Sequence, residues 1–222
     1  SANYDLFIKV DADMVLARET FFTEVIQYFT DYPEIDDLQI AVHDGFTNRL
    51  IYGLHVYSNR MKWQQDSEKI FVDWPDNQEK YKRVNDSVSL APAAYHCPNP
   101  SKFQAFHFGL HKAVKITQYE REELRYFASL VHWDNLIKLI EHFKSNNEVT
   151  LGMAIIGAYE GIRKKLTFEE VNFNSQRSSL IFQYWNSLPE DQIISKAKQL
   201  GYLILIIPQT ILLELILLQR NK

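Results

Sequence analysis

The chain has 222 residues, 46% apolar and 23% charged, with 24 Lys and Arg against 28 Asp and Glu and a formal net charge of -4. This composition predicts a globular protein of one large or two small domains, and the acidic balance argues against nucleic acid as a partner. Cys97 is the only cysteine, which excludes an intrachain disulfide and favours a cytoplasmic location. Seven glycines without a G-x-G-x-x-G or G-x-x-x-x-G-K pattern argue against a Gly-rich phosphate loop.

The first predicted element is a strand over residues 6–10 that leads into Asp11-Ala12-Asp13. Its apolar residues predict a buried central strand. Side chains alternate along a strand, so Asp11 and Asp13 are expected on one side, where two carboxylates suit Mg²⁺ or Mn²⁺ bound to phosphate. A simple turn is the alternative interpretation. A buried strand needs neighbours on both edges, which predicts a further piece of chain upstream.

The next elements follow from hydrophobic periodicity and from proline. An amphipathic helix is predicted before Pro33, and two apolar runs after it predict strands. A polar stretch then predicts a surface loop or short helix, and a stretch with three prolines predicts irregular structure. The corresponding ranges are 18–32 for the helix, 38–44 and 50–58 for the strands, 66–86 for the polar stretch and 90–100 for the irregular one.

The second half of the chain is predicted to be mainly helical. One helix is expected over 103–116, and a capping box at 117–120 is expected to open another that ends near 143. The helix over 149–165 contains small residues that allow a neighbouring helix to approach closely. A final helix is predicted to begin near Pro189 and to end at Gly201.

Residues 201–218 are strongly apolar but interrupted by Pro208, Gln209 and Glu214. Their length is borderline for a membrane span. Two interpretations stay open: a short buried strand followed by a packed helix, or a segment that contacts a membrane surface or a partner. If the segment contacts a membrane surface, the protein is expected to be cytoplasmic and membrane-associated.

Residues 4–63 resemble the middle of a GT-A glycosyltransferase of the family-2 type, through the strand ending in Asp11-Ala12-Asp13, the helix after it and residues 53–60. Residues 96–112 look like the downstream part of bacterial members. The resemblance implies an α/β fold, with 1–116 as the C-terminal half of a GT-A-like, Rossmann-like domain and 117–222 as a mainly helical extension. Such enzymes carry a nucleotide-binding βαβ half before this strand, so the resemblance implies an inactive fragment.

The resemblance also implies roles for individual residues. Asp11 and Asp13 match the positions that bind a divalent cation, Mn²⁺ or Mg²⁺, on a nucleotide-sugar donor; the partner molecules would be this donor and a saccharide or lipid-linked acceptor. The acidic motif that supplies the catalytic base in this family is not evident in the chain. Candidate residues for the other roles therefore follow from side-chain chemistry.

Histidine can act as a metal ligand or as a base, and His96, His107 and His111 occur close together. We assign His107 as a further metal ligand and His111 or Asp44 as the base. Phosphate contacts are assigned to Arg60 and Lys112, and stacking on a sugar ring to Trp63, with Tyr57 as a second aromatic candidate. Each of these residues also has a purely structural interpretation, as a core or surface side chain.

Two further functions remain open. Phosphohydrolases of the haloacid-dehalogenase type also begin with an apolar strand and Asp-x-Asp, where the first Asp attacks phosphorus. Their later acidic metal motif is absent here, because no glycine of the chain is followed by Asp. A non-catalytic docking module with a glycosyltransferase-like first half is the other possibility.

Overall fold

The computed structural model of the chain describes residues 5–61, 81–118, 126–172 and 174–220, with the backbone alone for 126–128 and 207–220. Within these residues it forms strands and helices in a mixed order that confirms the α/β class. The elements are β1 Leu6–Lys9, β2 Met14–Leu16, α1 Phe21–Asp31, β3 Asp37–Asp44, β4 Arg49–Ser58, β5 Arg83–Asp86, β6 Ala94–His96, α2 Lys102–Thr117, α3 Tyr126–Asn146, α4 Val149–Lys164, α5 Gln176–Asn186 and α6 Glu190–Arg220.

The chain divides into two compact units, Ser1–Asn99 and Pro100–Lys222. All six strands and α1 belong to the first unit, and the remaining helices belong to the second. The division falls ahead of α2, whereas the sequence placed the boundary after residue 116. We refer below to the sheet unit and the helical unit.

The sheet unit is built around β3. The strand order is β1-β4-β3-β6-β2, and β5 also pairs with β3. β4 runs antiparallel along the full length of β3, while β5 and β6 run parallel to its other edge, one after the other. Two parallel strands, β3 and β6, therefore finish side by side at Asp44 and His96.

One face of this sheet carries the core of the unit. Alternating residues of β3 and β4 point to the same side, where α1 covers them with Phe21 and Val25. Each buried aliphatic side chain in such a core contributes ~1.5–3 kcal/mol. The fully buried strand residues of this cluster are Leu38, Ile40, Val42, Leu54 and Val56.

The prediction of a buried central strand before Asp11 is wrong. Among the described residues, β1 pairs only with β4 and lies at the end of the strand order, and Phe7 is 43% exposed. The next residues form a turn, closed by the Met14 amide donating to the Asp11 carbonyl at 3.0 Å. Asp11 and Asp13 therefore lie in a turn and not on one side of an extended strand.

Two shorter predictions also need correction. Part of the polar stretch forms β5, and part of the proline-rich stretch forms β6, because pairing with β3 supplies the backbone partners that the local sequence does not predict. The capping box predicted at 117–120 extends outside the described residues. A complete capping box opens α2, where Ser101 and Gln104 exchange side-chain and backbone hydrogen bonds.

The small residues of α4 do let a neighbouring helix approach closely, and that helix is α2. A Cβ at Gly157 would lie 2.0 Å from the Phe106 carbonyl oxygen, and one at Gly109 would lie 1.9 Å from the Ala154 carbonyl oxygen. Both separations are shorter than van der Waals contact, so only glycine fits at these positions. Almost every residue of α4 from Leu151 to Ile162 is buried, which makes α4 the central helix of its unit.

The predicted helix end at Gly201 is wrong, because α6 continues through it to Arg220. Gly201 is buried beside Ile140 and Ile155, and this packing offsets its weak helix propensity. A buried strand in the apolar tail is therefore also excluded. Among the described residues, no helix combines the length and the apolar character that crossing a bilayer requires. The sequence also missed α5.

Candidate metal centre

The candidate site lies where three strand ends meet in the sheet unit. Asp44 ends β3 and pairs in register with His96, which ends the parallel strand β6. β2 runs antiparallel to β6, with Met14 opposite His96, so the turn before β2 brings Asp13 to the same place. The site thus combines residues from three separate parts of the sequence.

Backbone contacts fix these segments against each other. The Cys97 amide donates to the Asp13 carbonyl at 2.9 Å, and the Gly45 amide donates to the His96 carbonyl at 2.9 Å. A Cβ on Gly45 would lie 2.3 Å from the Cys97 carbonyl oxygen, so the close approach requires glycine. Cys97 itself adopts a left-handed conformation with φ 45°, which turns the chain sharply after β6.

The His96 ring lies between two carboxylates. Its Nδ1 is 2.7 Å from Asp44 Oδ1, and its Nε2 is 3.4 Å from Asp13 Oδ2. Asp44 is 1% exposed, and its other oxygen accepts from the backbone amide and the hydroxyl of Thr47 at 2.8 and 2.5 Å. A carboxylate held in this way accepts a hydrogen bond from Nδ1–H of the ring, which directs Nε2 towards Asp13.

His96 and the Asp13 carboxylate shift each other's pKa so that each favours its charged form. Burial lowers the pKa of His96, but its contacts with Asp13 and Asp44 outweigh burial and raise that pKa to about 9. The hydrogen bond from His96 lowers the pKa of Asp13 to about 2, against the opposing effect of burial. Without a cation, His96 is therefore an imidazolium ion that bridges two carboxylates at neutral pH.

Cys97 completes the cluster. Its thiol lies 2.9 Å from Asp13 Oδ2, and burial together with the charge of Asp13 raises the pKa of the thiol above its usual range. One potential ligand atom each from Asp13, His96 and Cys97 lies within 4.8 Å of the other two. Oxygen, imidazole and sulfur donors at these separations fit a divalent cation, and the part-exposed Asp13 leaves a route from solvent.

Among the residues predicted from sequence, Asp13 and Asp44 meet at His96. Asp11 is separate from this cluster: its carboxylate is about half exposed and lies 3.6 Å from Lys9 Nζ. The Arg60 guanidinium binds Asp36 at 2.6 Å and the Ile35 carbonyl at 2.8 Å. Trp63 lies outside the described residues.

The other predicted residues, His107, His111 and Lys112, belong to α2 in the helical unit. The two histidine rings are 4.6 Å apart, which confirms that they share a helix face. Burial, opposed by a backbone hydrogen bond to Val171, lowers the pKa of His107 to about 4. Burial and nearby positive charge lower the pKa of His111 to about 3. Lys112 Nζ lies 4.8 Å above the Phe108 ring.

His96 and Cys97 are the site residues that the sequence does not assign: His96 is one of three neighbouring histidines without a stated role, and Cys97 bears only on the compartment. One signal could have found them. His96-Cys97 comes at the end of a short apolar segment just as Asp44 comes at the end of the apolar run of β3, and residues at the ends of parallel strands gather at one sheet edge.

No protein-family model matches the chain, and comparisons with curated proteins and with solved structures give no match.

Proposed function

We propose that the chain is part of a metal-dependent glycosyltransferase that moves a sugar from a nucleotide-sugar donor to an acceptor hydroxyl. The observation that supports this proposal best is the orientation of His96, whose Nε2 is aimed at Asp13 by the buried Asp44. A histidine oriented by a carboxylate beside a second, accessible carboxylate is a common arrangement in metal sites. It involves the Asp-x-Asp segment on which the family resemblance depends.

The residues have distinct tasks in this proposal. Asp13 and His96 hold a divalent cation, and Asp44 fixes the ring of His96 without touching the cation. Asp11, two residues earlier in the same turn, is free of the cluster and faces solvent beside Lys9. When bound, the cation would supply Lewis-acid stabilisation of the negative charge on the leaving diphosphate.

Asp44 is better suited to orienting His96 than to acting as the base. Both of its oxygens accept hydrogen bonds, and it is 1% exposed, so an acceptor hydroxyl has little access to it. His111 stays a prediction for the base. Its lowered pKa keeps the imidazole neutral at pH 7 but makes it a weak proton acceptor.

The same geometry supports a transferase over a phosphohydrolase of the haloacid-dehalogenase type. That chemistry would need Asp11 as the nucleophile and Asp13 as an acid or base near it. Asp13 is instead engaged by His96 and Cys97, which lower its pKa to about 2. The carboxylate is therefore deprotonated at neutral pH and has no proton to donate as an acid. Asp11 is not among the residues gathered in the cluster.

Thermal denaturation in the presence of cations tests the proposal. At a cation concentration of about 100 times the dissociation constant, binding adds ~2.7 kcal/mol to the free energy of unfolding, which we expect to raise Tm by about 5–10 °C. Asp13→Asn and His96→Gln should each abolish the rise. Asp11→Asn is the matched control and should keep most of it.

The cation response also separates this function from a docking module, which needs no metal. If neither Mn²⁺, Mg²⁺, Co²⁺ nor Zn²⁺ changes Tm, the transferase proposal fails. If a cation does raise Tm, release of the nucleoside diphosphate from labelled donors tests the transfer itself.

A further inference from the structure

We infer that Cys97 is the third protein ligand of this centre and that its sulfur makes the site selective for a borderline cation such as Zn²⁺ or Co²⁺ over Mg²⁺. This inference rests on the proposed cation site and identifies the class of its metal. It replaces the expectation of Mg²⁺ or Mn²⁺ that the Asp-x-Asp pattern suggested. It also gives the single cysteine of the chain a role at the site.

Convergence of three different donor types is the first support. The ligand atoms of Asp13, His96 and Cys97 lie within 4.8 Å of one another, and the sulfur is 2.9 Å from Asp13 Oδ2. In tetrahedral zinc sites, bond lengths of ~2.0–2.3 Å place neighbouring ligand atoms roughly 3.3–3.8 Å apart. Movements of about 1 Å would therefore bring all three donors to bonding distance.

The second support is that His96 and Cys97 are held in place from opposite sides. Asp44 Oδ1 fixes Nδ1 of the histidine, so its Nε2 is the nitrogen that faces the thiol and Asp13. The backbone of Cys97 is anchored to Asp13 and lies against Gly45. The cysteine is 6% exposed, which limits its contact with metals and oxidants outside the cluster.

The chemical types of the three ligands indicate which cation the site prefers. Mg²⁺ requires near-octahedral oxygen coordination and retains its waters, and a site with one carboxylate, one imidazole and one sulfur offers it little. Thiolate and imidazole favour Zn²⁺ and Co²⁺. On binding, the thiol of Cys97 and the imidazolium of His96 each release one proton to solvent, so that one cation replaces two protons.

The test is a titration of the full-length, untagged, metal-free chain with Co²⁺, followed by absorption spectroscopy. We expect visible ligand-field bands together with a near-ultraviolet sulfur-to-cobalt charge-transfer band. Because the chain has a single cysteine, any such band reports Cys97 alone. Zn²⁺ should displace the bound Co²⁺ at a concentration at least ~100-fold lower than Mg²⁺ requires.

Substitutions of single residues assign the absorption bands to individual ligands. Cys97→Ser should remove the near-ultraviolet band while keeping weakened visible bands, and Cys97→Ala serves if the serine variant does not fold. His96→Gln should weaken Co²⁺ binding by at least about tenfold. His43→Gln, which alters a histidine next to Asp44 in sequence but outside the cluster, should leave the spectrum unchanged.

Two outcomes would overturn the assignment of Cys97 as a ligand without by themselves contradicting the proposed function. Visible bands without a charge-transfer band would show that Cys97 is not a ligand, although the cation site itself exists. A charge-transfer band that survives both His96→Gln and Asp13→Asn would show an isolated thiol binding cobalt. Absence of any Co²⁺ binding would also overturn the inference, and the proposed function would then depend on whether Mn²⁺ or Mg²⁺ raises Tm.

Discussion

Asp44 connects the stability of the sheet unit to the candidate site. Its two oxygens accept from His96 on one side and from Thr47 on the other, in the turn that joins β3 to β4. Since the carboxylate is buried, its removal would leave several donors without an acceptor. The cost of such unsatisfied groups exceeds the net gain from a single hydrogen bond.

We therefore expect Asp44→Ala to lower the free energy of unfolding by about 3 kcal/mol, within the range for breaking a buried charged pair. Urea denaturation of the metal-free chain measures this. Asp11→Ala is the matched control: its partner Lys9 lies 3.6 Å away at the surface, and we expect a change of less than ~1 kcal/mol. Equal effects of the two substitutions would contradict the role of Asp44.

The residues that form the candidate site were only partly predictable from the sequence. Asp13 and Asp44 could be selected because carboxylates that follow apolar runs are visible in the sequence. The partnership of both with His96 was not visible, since it depends on the pairing of β2 with β6. Each of these strands has three residues, too few to show a periodic pattern, and β6 follows a proline-rich segment.

Longer elements were easier to predict than short ones. Hydrophobic periodicity found α1 and β4 because each alternates between a buried and a more exposed side, and the largely apolar runs of β3 and α4, buried on nearly all sides, were also recognisable in the sequence. β5 has a polar sequence and becomes a strand only through pairing with β3. The course of α6 through Gly201 was missed for the opposite reason, because local propensity favoured an end that tertiary packing overrides.

The glycines of the helical unit give a direct test of the α2–α4 contact. Gly157→Ala should destabilise the chain by about 1–3 kcal/mol, because the new methyl group would lie 2.0 Å from the Phe106 carbonyl and force the helices apart. Gly201→Ala places its methyl group 3.6 Å from its nearest neighbours. There the better helix propensity of alanine should add up to ~1 kcal/mol.

Urea denaturation followed by far-ultraviolet circular dichroism measures both variants. Opposite signs for two identical Gly→Ala changes would identify close helix packing as the cause. A neutral Gly157→Ala would contradict the close approach of α2 to α4.

The two units differ in how they hold their histidines. In the sheet unit, His96 has a raised pKa because two carboxylates surround it. In the helical unit, burial lowers the pKa of His107, His111 and His132 to about 4, 3 and 2, and nearby Lys112 and Lys115 lower the last two further. At neutral pH His96 is therefore protonated, whereas His107, His111 and His132 are neutral.

This contrast predicts acid sensitivity of the helical unit. The unfolded chain binds protons at these histidines near pH 6.5, whereas the folded unit binds them only near pH 4 and below, so stability falls as pH decreases from about 6.5. Each histidine contributes at most ~1.4 kcal/mol per pH unit in that interval. Urea denaturation followed by far-ultraviolet circular dichroism between pH 7 and pH 4 measures the loss.

Replacing His132 with Gln removes one of the titrating groups and should reduce the slope of stability against pH. His43→Gln, in the sheet unit, serves as the control and should leave it unchanged. A slope that is the same in both variants would argue against burial of a neutral imidazole at position 132.

The donors of the centre come from segments separated by 84 positions, and they meet because β6 lies between β3 and β2 in the strand order. Neither segment carries a complete ligand set, so proteolytic nicking in the intervening chain would preserve cation uptake only while β6 stays paired with β2. Loss of metal from a nicked sample would then report dissociation of the halves. The cation thereby becomes an indicator that β6 stays in place between β3 and β2.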